Sequence, residues 1–250
     1  MKVLVAFKRV IDPDARIKLN GAKSAVDESS VEYKANPFCE NALEEAIRLK
    51  EAHDAEVVLV NLGTDDSTAQ IRAGLAMGAD RAIRVDIGDN ALDSDLAARL
   101  LAAVWKREQP DVFLFGKQAI DGDNNQTPQL VAEYLGLPQA CFASKVVIEG
   151  GEAVVTREVD GGLETIAIGL PCVVSADLRL NTPRYAKLPD IMKAKKKPID
   201  ELEIDELGVT DTAVKISVVS LEEPPRRSAG VKVGSVDELV GKLRSEARVI

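Results

Sequence analysis

Histidine is almost absent from this chain, which contains a single one among its 250 residues. His53 follows a helical pattern and precedes Asp54, so we expect it at an exposed helix terminus. With only one histidine, catalysis by a serine–histidine or cysteine–histidine pair is close to excluded, and so are most zinc sites.

Cysteine is also scarce: the chain has three, Cys39, Cys141 and Cys172. Because they are far apart and odd in number, they suggest neither a disulfide framework nor a metal site, and they favour a reducing compartment. Cys39 lies in the first turn of a predicted helix, where a thiolate is favoured. A redox role is conceivable there, but we expect a small apolar filler near a ligand.

Long apolar runs and an excess of positive charge are missing too. No stretch approaches the ~20 apolar residues that span a bilayer. Residues 2–7 indicate a buried strand and not a signal peptide. The net charge of -9 argues against nucleic acid and against an anionic membrane surface as partners. We therefore expect a cytoplasmic protein of bacterial type without a targeting peptide.

Two common nucleotide-binding fingerprints are absent. The sequence has no G-x-G-x-x-G after its first predicted strand and no G-x-x-x-x-G-K-[ST] motif. Any nucleotide must therefore be held by other loops at the carboxyl ends of the strands.

Short apolar runs alternate with helical patterns in the first half of the chain. The predicted strands are residues 2–7, 56–62, 81–85 and 111–116, and the predicted helices begin at Asn36–Pro37, after Ser67, near Asp93 and at Thr127–Pro128. Asn36 and Thr127 are the expected caps of their helices, each followed by a proline at the first helical position. This alternation predicts βαβ units and a mostly parallel sheet. It places the chain in the α/β class.

The pattern shortens after about Ser144. Four segments there are predicted to be antiparallel strands: residues 145–148, 153–159, 164–168 and 172–176. From about Pro183 the apolar runs thin out, which predicts a division into an α/β domain of residues 1–182 and an arm of residues 183–250. A partly disordered tail is the alternative for that arm, although a short amphipathic helix is predicted for residues 236–243.

The best candidate binding loop follows a predicted strand and precedes a helix. It consists of Gly116, Lys117, Gln118, Ala119, Ile120, Asp121, Gly122, Asp123, Asn124, Asn125, Gln126 and Thr127. The N–H groups of the helix start, together with the Thr127 hydroxyl, suit a phosphate. Asp121 and Asp123 would repel phosphate, but they can accept hydrogen bonds from ribose hydroxyls. An ordinary polar loop with a good cap is the alternative, whereas a calcium loop is excluded because Gln126 and Ala132 occupy the positions of its glycine and glutamate.

Four stretches of the chain resemble the beta subunits of electron transfer flavoproteins. They are residues 36–51, 75–81, 116–127 and a longer broken stretch between Arg157 and Lys197; the Glu223–Pro225 arm with Arg227 and Gly230–Lys232 also fits. The similarity covers essentially the whole chain. It implies a Rossmann-like adenine-nucleotide-binding α/β/α sandwich, with a mostly parallel sheet, an antiparallel extension and a C-terminal arm that wraps a partner subunit.

The resemblance also implies the cofactors. The family pairs a beta subunit with a larger alpha subunit that holds most of the FAD, while the beta subunit binds AMP. Carried over by position, AMP would lie against Ala6, Asn36, Pro37, Phe38, Cys39, Leu62 and residues 116–127. Some members have a tyrosine near the flavin shortly after the first strand. Pro13 stands at the corresponding position here, so no flavin contact is implied there.

A docking segment is the third implication of the resemblance. Residues of the segment from about Pro183 to Met192 correspond to the family's recognition loop: Pro183, Arg184, Tyr185, Ala186, Lys187, Leu188, Pro189, Ile191 and Met192. Leu188 would insert into an apolar pocket of a partner dehydrogenase. The alternative is that Leu188 packs on its own domain.

The resemblance thus implies an electron carrier subunit and not an enzyme. Acyl-CoA dehydrogenases and other flavin dehydrogenases would pass electrons to the FAD, which would deliver them to a quinone oxidoreductase of the respiratory chain. One rival is a bifurcating flavoprotein with a second FAD in the AMP position. The other is an ATP-using ligase or universal-stress-type domain, which would need a triphosphate-gripping glycine loop that the sequence lacks.

Overall fold

A computed structural model describes residues 1–225 and 229–250. The described chain divides into two compact units, one of residues 1–18 and 27–218 and the other of residues 19–26 and 219–250. Arg227, which the resemblance included in the arm, lies outside the described residues. The division at residue 182, with an arm that wraps a partner, stays a prediction, and the first unit continues to residue 218.

The strands of the first unit form two sheets. They are β1 (Lys2–Ala6), β2 (Arg9–Ile11), β3 (Tyr33–Ala35), β4 (Glu56–Leu62), β5 (Arg81–Val85), β6 (Val112–Gly116), β7 (Gln139–Glu149), β8 (Glu152–Val159), β9 (Gly162–Gly169), β10 (Cys172–Ala176) and β11 (Ile199–Leu202). The main sheet has the order β11-β5-β4-β1-β6-β10-β7-β8-β9. Its neighbours are parallel from β11 to β7, and β8 and β9 extend it in antiparallel pairs. The predicted mostly parallel α/β sheet with an antiparallel extension is therefore confirmed.

The helices are α1 (Pro37–His53), α2 (Thr68–Met77), α3 (Ser94–Glu108), α4 (Thr127–Leu135), α5 (Leu188–Ala194) and, in the second unit, α6 (Val236–Lys242). Five of these helices begin close to the predicted residues, whereas α5 lies in a segment for which a loop was predicted. Gly78 ends α2 at φ 149° and Gly136 ends α4 at φ 63°, two backbone conformations that favour glycine. The predicted starts at Ser67 and Asp93 are likewise the cap positions of α2 and α3.

One strand was predicted with the wrong direction relative to its neighbours. Residues 172–176 were expected in an antiparallel strand, but β10 lies between β6 and β7 and is parallel to both. All five of its residues are buried, which is typical of a central parallel strand covered on both faces. The two preceding hairpins suggested that the meander continued, whereas the chain instead returns to the middle of the sheet.

Apolar side chains cover both faces of the sheet. Val3 and Val5 point to the side of α1 and α2, whereas Leu4 points to the side of α3 and α4, because successive residues of a strand alternate between faces. The result is an α/β/α sandwich. The carboxyl ends of its parallel strands lie at one edge, and the loops that leave this edge form the candidate site described below.

The second unit is small. Leu19 and Val26 form an antiparallel bridge within it, and the predicted short helix is present as α6. The Ser235 hydroxyl accepts a hydrogen bond from the Glu238 N–H and so caps that helix. Several apolar side chains of this unit are exposed, Val219 and Val231 among them.

Candidate nucleotide-binding site

A cavity of about 210 Å³ opens at the carboxyl edge of the main sheet. Its floor is formed by the ends of β1, β4 and β6, and its walls by the starts of α1, α3 and α4. The lining residues are Ala6, Phe7, Lys8, Asn36, Cys39, Val60, Leu62, Asp89, Leu92, Asp93, Ser94, Ala97, Leu101, Phe115, residues 116–119 and residues 121–128. Most of the predicted nucleotide residues therefore meet around one space.

Asn36 fastens the predicted binding loop to the start of α1. It was expected to cap the helix, but its side chain makes no such bond. Instead its amide donates to the Gln118 carbonyl at 2.8 Å, and its oxygen accepts from the Ile120 N–H at 3.2 Å. Asn36 is almost fully buried, so these bonds are shielded from water and fix the loop.

Gly116 allows the end of β6 to approach the backbone of α1. A Cβ atom at this position would lie 2.8 Å from the Cys39 nitrogen and 2.8 Å from the Phe38 carbonyl carbon. Any side chain would therefore push the loop away from the helix. Burial raises the pKa of the Cys39 thiol, although Asn36 donates a hydrogen bond to its sulfur. The thiol thus stays neutral, as expected of an apolar filler.

The starts of α3 and α4 differ in how they are capped. Asp93 is the cap residue of α3, and its carboxylate accepts a hydrogen bond at 2.8 Å from the Leu96 N–H in the first turn. No side chain caps α4, whose cap position is Gln126 and not the predicted Thr127. Pro128 has no N–H, so the N–H groups of Thr127 and Gln129 are the backbone donors of that first turn. The start of α4 is consequently the place in the cavity that best suits an anion.

The acidic side chains of the loop have partners within the site. Asp121 accepts from the Lys8 ammonium at 2.7 Å, and Asp123 accepts from the Gln118 amide at 2.7 Å. Asp123 and Asn125 have φ values of 50° and 48°. Left-handed conformations of residues other than glycine are uncommon and recur at ligand-binding sites. The pairing with Lys8 reduces the negative charge that a phosphate would meet.

Three of the predicted nucleotide residues lie behind the cavity lining. Phe38 is buried beneath Gly116, Ile120 donates its N–H to Asn36, and Pro37 opens α1. Conversely, the wall contributed by Asp89, Leu92, Asp93, Ser94 and Ala97 was not predicted. The signal was available, because the segment between β5 and α3 leaves the same sheet edge as the other βα loops.

The predicted docking segment is tied to α1 at its base and exposes apolar side chains beyond it. Leu188 is 73% exposed and Tyr185 is 96% exposed, while Ile191 and Met192 are also exposed. Leu188 therefore does not pack on its own unit. Arg184 was grouped with the docking residues, yet its guanidinium binds Glu44 and Glu51 of α1.

Comparisons with known proteins agree with these features. A family model, the electron transfer flavoprotein domain, matches residues 24–207. The chain is 50% identical over 251 residues to the electron transfer flavoprotein subunit beta of Bradyrhizobium diazoefficiens, with full coverage of both chains. It is 50% identical over 253 residues to the mitochondrial beta subunit of Arabidopsis thaliana, again with full coverage, and 49% identical over 253 residues to the beta subunit of Homo sapiens, covering 100% and 99% of the two chains.

This chain belongs to the electron transfer flavoprotein beta-subunit family. The family resemblance inferred from the four stretches is thus confirmed, and with it the electron-transfer class. In the described part of this beta subunit, no group of three or more His, Cys, Asp and Glu side chains is placed to hold a metal ion. Among the same residues, no helix is long and apolar enough to cross a membrane.

Proposed function

We propose that this chain binds AMP and docks dehydrogenases as the beta subunit of a heterodimeric electron transfer flavoprotein. Its alpha-subunit partner holds most of the FAD. Acyl-CoA dehydrogenases and other flavin dehydrogenases reduce that flavin, which then delivers electrons to the respiratory chain through a quinone oxidoreductase. The observation that carries the AMP assignment is the cavity at the uncapped start of α4, in a chain of this family.

The residues around the cavity fit the three parts of an adenylate. The α4 start offers N–H donors and the Thr127 hydroxyl to a phosphate. Asp121 and Asp123 stand in the adjoining loop as acceptors for ribose hydroxyls. Ala6, Leu62 and other apolar side chains provide a wall for a planar base, as is usual for small-molecule sites.

The residues of the beta subunit bind and orient the adenylate and the dehydrogenase, and they supply no redox group. The FAD supplies the electron chemistry when it is bound, since hydride and single-electron transfer belong to the cofactor. The loop of residues 116–127, fixed by Asn36 and Gly116, holds the adenylate and stiffens this edge of the sheet. The exposed apolar side chains around Leu188 bind the dehydrogenase.

Replacement of Asp121 tests the AMP assignment. Asp121→Ala removes a carboxylate that would accept hydrogen bonds from the ribose, so we expect the heterodimer to purify with less AMP. Asp160→Ala, which removes an exposed aspartate from the β8–β9 turn, is the matched control. The measurement is the AMP released by acid per heterodimer. Unaltered AMP content in Asp121→Ala argues against this site.

A further inference from the structure

The docking segment is held at both ends. At its entry, the Arg184 guanidinium donates to the two Glu44 carboxylate oxygens at 2.8 and 3.1 Å and to Glu51 at 2.5 and 3.1 Å. The Arg184 backbone N–H also donates to Glu44 at 3.1 Å. Glu44 is 3% exposed, whereas the Arg184 and Glu51 side chains are 35% and 58% exposed, so the Glu44 side of this cluster is the part that is shielded from water. Arg184 therefore fixes the start of the docking segment against α1.

At the exit of the segment, α2 and α5 exchange hydrogen bonds at their carboxyl ends. Arg72 of α2 donates to the carbonyls of Ala194 and Lys197 at 2.8 and 2.5 Å. In return, the Lys197 ammonium donates to the carbonyls of Leu75 and Ala79 at 2.9 and 2.5 Å. The last carbonyls of a helix have no partner within it and attract cations. Leu75 and Ala194 lie in the last turns of α2 and α5, and the other two carbonyls lie just beyond these helices, so a cation from each segment binds at the end of the other.

These bonds add to the packing of α5 on α2 and to the pairing of β11 with β5, which begins a few residues after the helix. The helix has seven residues, and isolated helices of that length are not stable in water. Ala194 is its buried residue, whereas Leu188, Ile191 and Met192 are exposed. The orientation of the exposed side chains consequently depends on the contacts at the two ends.

We propose that Arg72 and Lys197 are positioning residues for partner docking, which hold α5 so that Leu188 meets the dehydrogenase in a fixed orientation. This inference rests on the docking role proposed above. A preorganised segment binds without first losing conformational freedom, so its partner affinity is higher than that of a mobile one. Neither residue contacts the partner; both act through the backbone of residues 194–197.

The test compares Arg72→Gln and Lys197→Met with Lys195→Met in the intact heterodimer. Lys195 is an exposed lysine of the same run, so its loss removes the same charge without removing a carbonyl contact. We call the hydrogen bonds that Arg72 and Lys197 donate to these carbonyls the latch. Amide hydrogen exchange of residues 188–197 measures the latch directly and needs no dehydrogenase. We expect exchange to accelerate by about three- to tenfold for each lost hydrogen bond in the two latch variants, but not in Lys195→Met.

Electron transfer from a reduced acyl-CoA dehydrogenase reports the docking role. We expect the latch variants to raise the dehydrogenase concentration for half-maximal rate, with the saturating rate and the AMP content unchanged. Lys197→Arg should recover much of the loss, because arginine can donate to the same carbonyls. The inference is overturned if exchange is unchanged, or if Lys195→Met impairs docking as much as Lys197→Met does. If Leu188→Ala leaves docking unaffected, the docking surface itself is wrong, and the exchange result then still decides whether the latch exists.

Discussion

Gly116 determines how closely the binding loop approaches α1. The atoms that a Cβ would meet belong to the backbone and Cβ of Phe38 and to the Cys39 nitrogen, which cannot rotate away as a flexible side chain can. The cavity wall therefore depends on a residue that contributes no side chain at all.

Gly116→Ala is expected to lower the free energy of unfolding by about 1–3 kcal/mol, because the added methyl group overpacks the contact between β6 and α1. It should also reduce the AMP content. Gly122→Ala is the matched control, since the nearest atom to its Cβ is the Asn124 side-chain nitrogen at 3.5 Å. Urea unfolding of both variants checks the prediction, and equal stabilities would contradict it.

The Glu44 carboxylate, which lies at the base of the docking segment, makes the free energy of unfolding depend on pH. Burial raises its pKa, but hydrogen bonds from Arg184 and Arg48 outweigh burial, so the pKa lies below its ordinary value of 4.5. A carboxyl group with a lowered folded-state pKa stabilises the fold above its unfolded-state pKa, and that stability is lost as pH falls through the folded-state value. For the neighbouring Glu45, burial raises the pKa despite the Asn181 hydrogen bond, so its effect has the opposite sign.

We therefore expect Glu44→Gln to be less stable than the unmodified chain at neutral pH and to approach it in stability as pH falls below about 4.5. Glu45→Gln should instead make the loss of stability on acidification steeper. Urea unfolding between about pH 7 and pH 3.5 measures both trends. A constant gap between Glu44→Gln and the unmodified chain over this range would refute the role of the Glu44 charge.

The residue types in the sequence predicted where the candidate site lies, but they did not predict which hydrogen bonds build it. Asn36 was predicted at a helix start because asparagine often caps helices, and it does occupy that position. Its actual partners, Gln118 and Ile120, are more than eighty residues away in the sequence. Local patterns reveal a cap position, but they do not reveal which distant backbone a side chain will meet.

At the scale of elements, α5 is the feature that we propose as the contact with a partner. It begins at Leu188 with Pro189 in its first turn, where proline is favoured, and it presents a largely exposed leucine at its start. An exposed cluster of large apolar side chains is characteristic of an interaction surface.

Leu188→Ala is expected to weaken docking of the dehydrogenase by roughly tenfold or more, because a fully buried leucine side chain contributes about 1.5–3 kcal/mol. Flavin and AMP content should not change. Leu163→Ala, which truncates a leucine of β9 that is 66% exposed, is the control. Stopped-flow measurement of flavin reduction against dehydrogenase concentration decides; unchanged docking kinetics in Leu188→Ala mean that Leu188 is not the anchor.

The central strands have a strong apolar pattern and were predictable, whereas the edge strand β11 was not. The runs that became β1, β4, β5 and β6 are buried on both faces, which leaves a continuous apolar signature. By contrast, β11 lies at the sheet edge, and Leu202 is the buried residue among its four. Its acidic residues were therefore assigned to the arm predicted after residue 182. An edge strand is fixed by backbone pairing, here with β5, and backbone pairing has little sequence signature.

For the whole molecule, the order of the strands explains why the site lies where it does. β1 is flanked by β4 and β6, and the loops at the ends of these three strands enclose the cavity together with the starts of α1, α3 and α4. The docking segment is anchored on α1 and α2 of the same unit. One sandwich thus supports both the cavity and the exposed segment around Leu188.

Under the proposed function, the cavity holds an adenylate while the flavin belongs mainly to the partner subunit. The most direct measurement is to purify the native heterodimer, release its nucleotides with acid, and quantify flavin and AMP by chromatography against protein. We expect one FAD and one AMP per heterodimer. Two FAD molecules without AMP, or a heterodimer that contains flavin but no adenylate in this cavity, would contradict it.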